Sequence, residues 1–123
     1  MGLIADVKKI VRSTMIALHG LRHAYQSDKS FRMEVNYGIP AYLLAGWFLW
    51  PLAPLELLFF VFSYILILSL ELVNTAFETM LEKIHPERHE LIGRTKDIAS
   101  AAVFLAFVFA ASVILVLCWS RIF

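Results

Sequence analysis

The feature that most constrains this chain is a run of 23 residues without a formal charge, Ile98 to Ser120. At about 1.5 Å per residue, a helix of this length crosses the roughly 30 Å hydrocarbon core of a bilayer. A second uncharged run of 21 residues, Val35 to Leu55, is long enough to do the same. The hydrophobic content of 60% also exceeds that of ordinary soluble domains. Together these observations predict an all-α membrane protein.

Periodicity, caps and helix breakers predict four helices in one domain, 1–123. The first is typical of an amphipathic helix on a membrane surface, although packing on its own protein is an equally good interpretation. The other three are predicted to span the membrane. The predicted bounds are about 3–26 for the surface helix and about 32–52, 55–84 and 97–120 for the spans. The predicted breaks are at Gly20, at Ser27–Ser30, at Pro51–Pro54 and in a loop from His85 to Lys96.

Basic residues are concentrated on one predicted side of the membrane. Six precede the first span, four lie in or beside the second loop, and the turn after the first span has none. Because cytoplasmic segments are enriched in Lys and Arg, we expect a cytoplasmic N-terminus and a C-terminus on the opposite side. The net charge of +1 gives no case for nucleic acid. Cys118, the single cysteine, supports neither a disulfide framework nor a cysteine metal site.

Acidic side chains occupy the second predicted span where it approaches the cytoplasm. At about 100° per residue, one helix face within an arc of about 80° carries Glu71, Asn74, Glu78 and Glu82. A carboxylate in a span costs about 2.5–3.5 kcal/mol and usually marks a functional site. Carboxylates near a lysine at a membrane face suit Mg²⁺ and a polyphosphate, so ATP is the expected donor. The chain has no Walker-type or kinase-like glycine-rich loop, so such an enzyme would lie outside both common nucleotide-binding classes.

Two segments resemble the signature of the prokaryotic integral-membrane diacylglycerol kinases: E-L-V-N-T-A-F-E at 71–78 and H-E-L-I-G-R-T-K-D-I-A-S-A-A-V at 89–103. The resemblance extends upstream through G-L-R-H-A-Y at 20–25 and D-K-S-F-R-M-E at 28–34. It implies a homotrimer in the bacterial inner membrane, with three spans and a surface helix per subunit. It also implies transfer of the γ-phosphate of MgATP to the primary hydroxyl of diacylglycerol, at sites between subunits.

The resemblance also implies roles for individual residues. Glu71 corresponds to the catalytic base, and Asp28 and Glu78 correspond to magnesium ligands. Asp28 is shorter than the family's usual glutamate, and capping the following helix is its alternative role. The implied nucleotide-binding residues are Lys9, Arg12, Asn74, Glu78, Glu90, Arg94, Lys96 and Asp97. The implied lipid-binding residues are Glu71, Ser100, Arg32 and Glu34.

Two other functions are left open. Undecaprenol kinases share the fold, but their version of the segment G-R-T-K-D-I-A-S-A-A-V tends to have glycine and alanine at positions where this chain has other residues. We therefore favour diacylglycerol as the acceptor. A non-enzymatic membrane protein would use the acidic face as an ion path. Glu82 is undecided between a site residue and a solvated charge, whereas Glu87 is expected to be solvated. His85 and His89 have the spacing of two metal ligands, but Pro86 between them argues against a regular helix there.

Overall fold

A computed structural model describes residues 2–84 and 90–123, and all regular structure in these ranges is helical. The helices are α1 (Leu3–Ser27), α2 (Lys29–Leu49), α3 (Pro54–Ile84) and α4 (Glu90–Ile122). The predicted all-α class is therefore confirmed. The interpretations made for His85, His89 and Glu87 fall outside the described residues.

Two of the predicted helix breaks are wrong: the helix is not broken at Gly20, and the predicted loop does not reach Lys96. α1 continues through Gly20 because one glycine costs a helix only about 1 kcal/mol, which the other residues of α1 offset. α4 begins at Glu90, so the predicted loop does not extend to Lys96. An ion pair of 2.6 Å between Glu90 and Arg94, four residues apart, supports this first turn. The polar composition of the segment therefore indicates an exposed helix end rather than a loop.

Two helices, α3 and α4, are long and apolar enough to cross a membrane. Within residues 2–84 and 90–123, α2 does not reach the same hydropathy. It carries Lys29, Arg32 and Glu34 in its first two turns, and Pro40 lies further along it. The first predicted span, 32–52, consequently stays a prediction.

A large apolar surface is exposed on the outside of the chain. The accessible surface is 9582 Å², against roughly 6,700 Å² expected for a folded soluble monomer of this mass. Large side chains such as Leu58, Phe104 and Leu115 are more than half exposed, and in α1 only Ala24 is buried. Surface of this kind is covered by lipid or by other subunits, as expected for a membrane protein.

α3 and α4 form the most extensive helix pair. In the middle of the pair, Ile67 packs with Ala106 and Ala110, whose small side chains allow the two backbones to approach. A second cluster, of Leu49, Phe60 and Leu117, lies near the turn between α2 and α3. The pair is the framework against which α2 is positioned.

Arg121 ties the end of α4 to the α2–α3 turn. Its guanidinium donates to both carboxylate oxygens of Glu56, at 2.7 and 3.1 Å. It also donates to the carbonyl oxygens of Leu49 and Pro51, at 2.9 and 2.8 Å. Glu56 in turn accepts the backbone N–H of Ala53 at 2.9 Å, a capping-box bond at the start of α3. These bonds fix the end of the chain that lies opposite the acidic stretch.

The junction between α1 and α2 is held by side chains. Asp28 Oδ1 accepts the backbone N–H of Ser30 at 3.1 Å, so the predicted helix cap is confirmed. Arg32 donates to the carbonyl oxygens of Tyr25 and Gln26 at 3.0 and 3.2 Å. Both carbonyls belong to the last turn of α1, which has no intrahelical partner for them. The side chain of Arg32 therefore has a structural role at this junction.

The α2 backbone comes very close to an α3 side chain at Gly38. A Cβ atom added there would lie 2.7 Å from Cε1 and from the hydroxyl oxygen of Tyr64. The ring has little freedom to move, because its hydroxyl donates to the Glu34 carbonyl at 2.7 Å and it stacks on Tyr42 at 4.5 Å. We expect Gly38→Ala to lower the free energy of unfolding by about 1–3 kcal/mol through overpacking.

Thermal unfolding in detergent micelles measures this effect. Gly20→Ala is the matched control, because nothing lies within 4 Å of the added Cβ and the helix continues on both sides. We expect the control to keep the stability of the parent or raise it by up to about 1 kcal/mol. A Gly38→Ala variant as stable as the parent would contradict the close contact with Tyr64.

Candidate functional site

The acidic face predicted on the second span is present on α3. Glu71 and Asn74 are buried, with 5% and 7% of their surfaces exposed, and Glu78 is half-buried. The Asn74 side-chain N–H donates to Glu78 Oε1 at 3.3 Å. Glu82 is exposed and does not share this environment. Three of the four predicted polar residues therefore face the inside of the helix bundle.

A cavity of about 290 Å³ lies in front of this face. α2 contributes Ser30 and Glu34 to its wall, and α4 contributes Ser100 together with apolar side chains. The complete lining is Ser30, Glu34, Glu71, Asn74, Glu78, Ser100, Val103 and Phe107. Three helices thus bring polar groups from distant parts of the sequence to one place.

Asp28 reaches the same region through Thr75. The Thr75 hydroxyl donates to Asp28 Oδ2, and it also lies 2.9 Å from the carbonyl oxygen of Glu71. Asp28 therefore links the α1–α2 junction to α3 while it caps α2. A carboxylate oxygen has a second lone pair, so these bonds leave Asp28 able to accept a further partner.

The site is strongly acidic within one chain. Glu71 interacts electrostatically with the carboxylates of Asp28, Glu34 and Glu78. No lysine or arginine of the described residues lines the cavity. Several carboxylates in a low-dielectric region repel one another. A cationic partner would therefore be favourable here.

The donor atoms at the cavity fit a hard divalent cation. Carboxylate oxygens are such donors, and Asn74 Oδ1 is a buried oxygen without a hydrogen-bond partner among the described residues. Among residues 2–84 and 90–123, no three His, Cys, Asp or Glu side chains form a metal-binding cluster. Mg²⁺ that takes part in phosphoryl transfer does not require such a cluster, because one or two carboxylates, substrate phosphates and water commonly hold it.

Most of the predicted nucleotide-binding residues lie away from the cavity in a single chain. Lys96 Nζ pairs with Glu82 at 3.4 Å across α3 and α4. Glu90 and Arg94 pair with each other on the surface. The remaining three are exposed and do not line the cavity: Lys9, Arg12 and Asp97. One chain therefore assembles the acidic part of the predicted site without its cations.

The lipid-binding predictions divide in the same way. Glu34 and Ser100 line the cavity with Glu71, whereas Arg32 is engaged at the end of α1. Sequence reasoning assigned no role to Thr75, which joins Asp28 to α3. Its position four residues after Glu71, one turn along the same helix, is a signal that could have identified it.

Comparisons with known proteins identify a family that matches most of the chain. A family model described as Prokaryotic diacylglycerol kinase matches residues 15–118. A protein of Haemophilus influenzae named diacylglycerol kinase is 37% identical over 79% of this chain and 80% of its own length. A protein of that name from Escherichia coli is 31% identical over 92% of this chain and 91% of its own length. Another, from Pseudomonas aeruginosa, is 31% identical over 81% of this chain and 80% of its own.

Proposed function

This chain belongs to the prokaryotic diacylglycerol kinase family, and on that premise we propose that it transfers the γ-phosphate of MgATP to the primary hydroxyl of diacylglycerol. The products would be phosphatidic acid and ADP. The prediction of diacylglycerol kinase activity from the sequence is confirmed by the family and by the names of the relatives. The non-enzymatic ion-binding alternative is set aside for the same reason.

The observation that carries the mechanism is a buried carboxylate, Glu71, on the wall of a polar cavity. A carboxylate buried at a cost in free energy among other acids has little structural value. As a general base it is useful, because it can accept the proton of a hydroxyl held within hydrogen-bond distance. We therefore assign the base to Glu71.

In the reaction, the lipid hydroxyl oxygen forms a bond to the γ-phosphorus of ATP. The bond from that phosphorus to the β,γ-bridging oxygen breaks, and ADP leaves with the electron pair. The hydroxyl proton passes to a carboxylate oxygen of Glu71. Glu34 and Ser100, on the other walls of the cavity, would orient the glycerol end of the lipid.

Magnesium is the metal we propose, and Glu78 and Asp28 are the residues that would hold it. Asn74 Oδ1, a buried acceptor without a partner, would support the same metal–nucleotide complex. When bound, the ion would neutralise negative charge on the phosphate oxygens. Its positive charge would also offset the mutual repulsion of the carboxylates around Glu71.

We propose that the enzyme is a homotrimer whose sites lie between subunits. Two observations support this: Lys9 and Arg12 are exposed on α1 and do not line the cavity of their own chain, and much apolar surface is exposed. The residues proposed around the nucleotide are Lys9, Arg12, Glu90, Arg94, Lys96 and Asp97. The distribution of basic residues supports a cytoplasmic N-terminus and site in the bacterial inner membrane, with the C-terminus on the opposite side.

An assay with the purified protein in mixed micelles tests the acceptor. With radiolabelled ATP, we expect phosphorylation of diacylglycerol to be faster than that of undecaprenol. Turnover should stop when EDTA is added and return with excess Mg²⁺. Faster turnover of undecaprenol would assign the chain to the isoprenoid branch of the fold, and turnover unaffected by EDTA would remove the metal from the proposal.

A further inference from the structure

We propose that Tyr64 is a positioning residue for the lipid substrate: its hydroxyl fixes the α2 backbone at Glu34, so that Glu34 and Glu71 face each other across the cavity at the separation that the acceptor hydroxyl requires. This inference rests on the proposed function. It concerns a side chain that does not itself line the cavity.

The contact between Tyr64 and α2 is specific. The Tyr64 hydroxyl donates to the Glu34 carbonyl at 2.7 Å, and this bond joins residues 30 positions apart. Glu34, Gly38 and Tyr42 are spaced by four and therefore lie on one face of α2. The ring of Tyr64 is close enough to Gly38 to exclude a Cβ there, and it stacks on Tyr42 at 4.5 Å. The ring is therefore held along the face that ends at Glu34.

Tyr64 is also on the face of α3 that carries the proposed base. Seven residues, or two turns, separate Tyr64 from Glu71, a rise of about 10 Å. Glu34 and Glu71 line the same cavity and interact electrostatically. A shift of the α2 backbone at Glu34 would therefore change the distance between the two carboxylates.

The α2 backbone near Glu34 needs support from another helix. Pro40 has no backbone N–H, so the carbonyl of Asn36 cannot receive its usual intrahelical bond. Gly38 adds further backbone freedom two residues earlier. The helix is therefore weakened within two turns of Glu34, and a tertiary hydrogen bond from α3 is well placed to fix that segment.

The test is Tyr64→Phe, which removes the hydroxyl and keeps the ring. We expect the KM for diacylglycerol to rise about threefold to tenfold, the range that corresponds to the net contribution of one hydrogen bond. The KM for MgATP should be unchanged, because Glu34 is assigned to the lipid. A loss of folded protein would lower the maximal rate and leave both KM values as they are.

Tyr42→Phe is the matched control. Tyr42 does not line the cavity. Its hydroxyl lies 2.9 Å from the Ser63 hydroxyl, and Ser63 keeps its bond to the Phe60 carbonyl at 2.7 Å. We expect both KM values of this variant to equal those of the parent. An unchanged lipid KM in Tyr64→Phe, or an equal rise in Tyr42→Phe, would overturn the inference while an active parent keeps the proposed function. A parent that phosphorylates no diacylglycerol would overturn both.

Discussion

Glu71→Gln should lower the kcat for diacylglycerol phosphorylation by on the order of 10²–10⁴-fold, the contribution usual for a general base. Glutamine has the size of glutamate and still hydrogen-bonds, but it cannot accept the hydroxyl proton. The fold should tolerate it, because Glu71 lies among Asp28, Glu34 and Glu78 and an uncharged amide relieves their repulsion. We expect a melting temperature no lower than that of the parent.

Initial rates with saturating diacylglycerol and MgATP measure this loss. The control is Asp6→Asn, a carboxylate exposed in the first turn of α1. It should retain the parental rate. A Glu71→Gln variant that kept more than about a tenth of the parental kcat would show a loss below the range expected for a base. The proton would then have another acceptor, and the proposed mechanism would fail.

Lys96→Met should lower kcat/KM for MgATP by on the order of 10²–10³-fold, the usual cost of losing a charged group that stabilises the transition state. Lys96 is one turn before Ser100 on α4, and Ser100 lines the cavity. Its pair with Glu82 is long at 3.4 Å, and the Glu82 side chain is 68% exposed, so we expect the pair to be weak and easily exchanged for a phosphate. Lys8→Met, on the exposed surface of α1, is the control and should leave kcat/KM unchanged.

Mixed oligomers show which chain's cavity Lys96 serves. Its position on the same chain's cavity-lining helix predicts that it acts with Glu71 of its own chain. Co-assembled Glu71→Gln and Lys96→Met subunits should then remain inactive, because every chain carries one defect. If Lys96 served a neighbour's cavity, random mixing in a symmetric ring would restore about a quarter of the sites, and that recovery would contradict the assignment.

Helical periodicity was enough to predict which side of α3 lines the cavity. Glu71, Asn74 and Glu78 share a face because 100° per residue is a property of every helix. The same arithmetic included Glu82, which is exposed. Its angle is suitable, but it lies beyond the part of α3 that α2 covers. A helical wheel gives direction around an axis and no information on where a neighbouring helix begins.

The bonds that complete the site could not be predicted locally. Thr75 to Asp28 and Tyr64 to Glu34 join residues 47 and 30 positions apart. Such contacts depend on how two helices are rotated and shifted against each other, and small changes in packing residues decide this. By contrast, the Asp28 cap was predictable because its bond to Ser30 is formed within three residues.

The length of α3 makes membrane thickness part of the proposed catalytic geometry. Its 31 residues span about 46 Å, well beyond a hydrocarbon core of about 30 Å. Glu71 lies about 26 Å along α3 from Pro54. The N-terminal end of α3 is held by the bonds of Arg121 to Glu56 and to the neighbouring turn. A thicker bilayer would draw the proposed base deeper into hydrocarbon, and a thinner one would bring it closer to bulk water. The surrounding lipids would thus set the depth at which the substrate hydroxyl meets the proposed base.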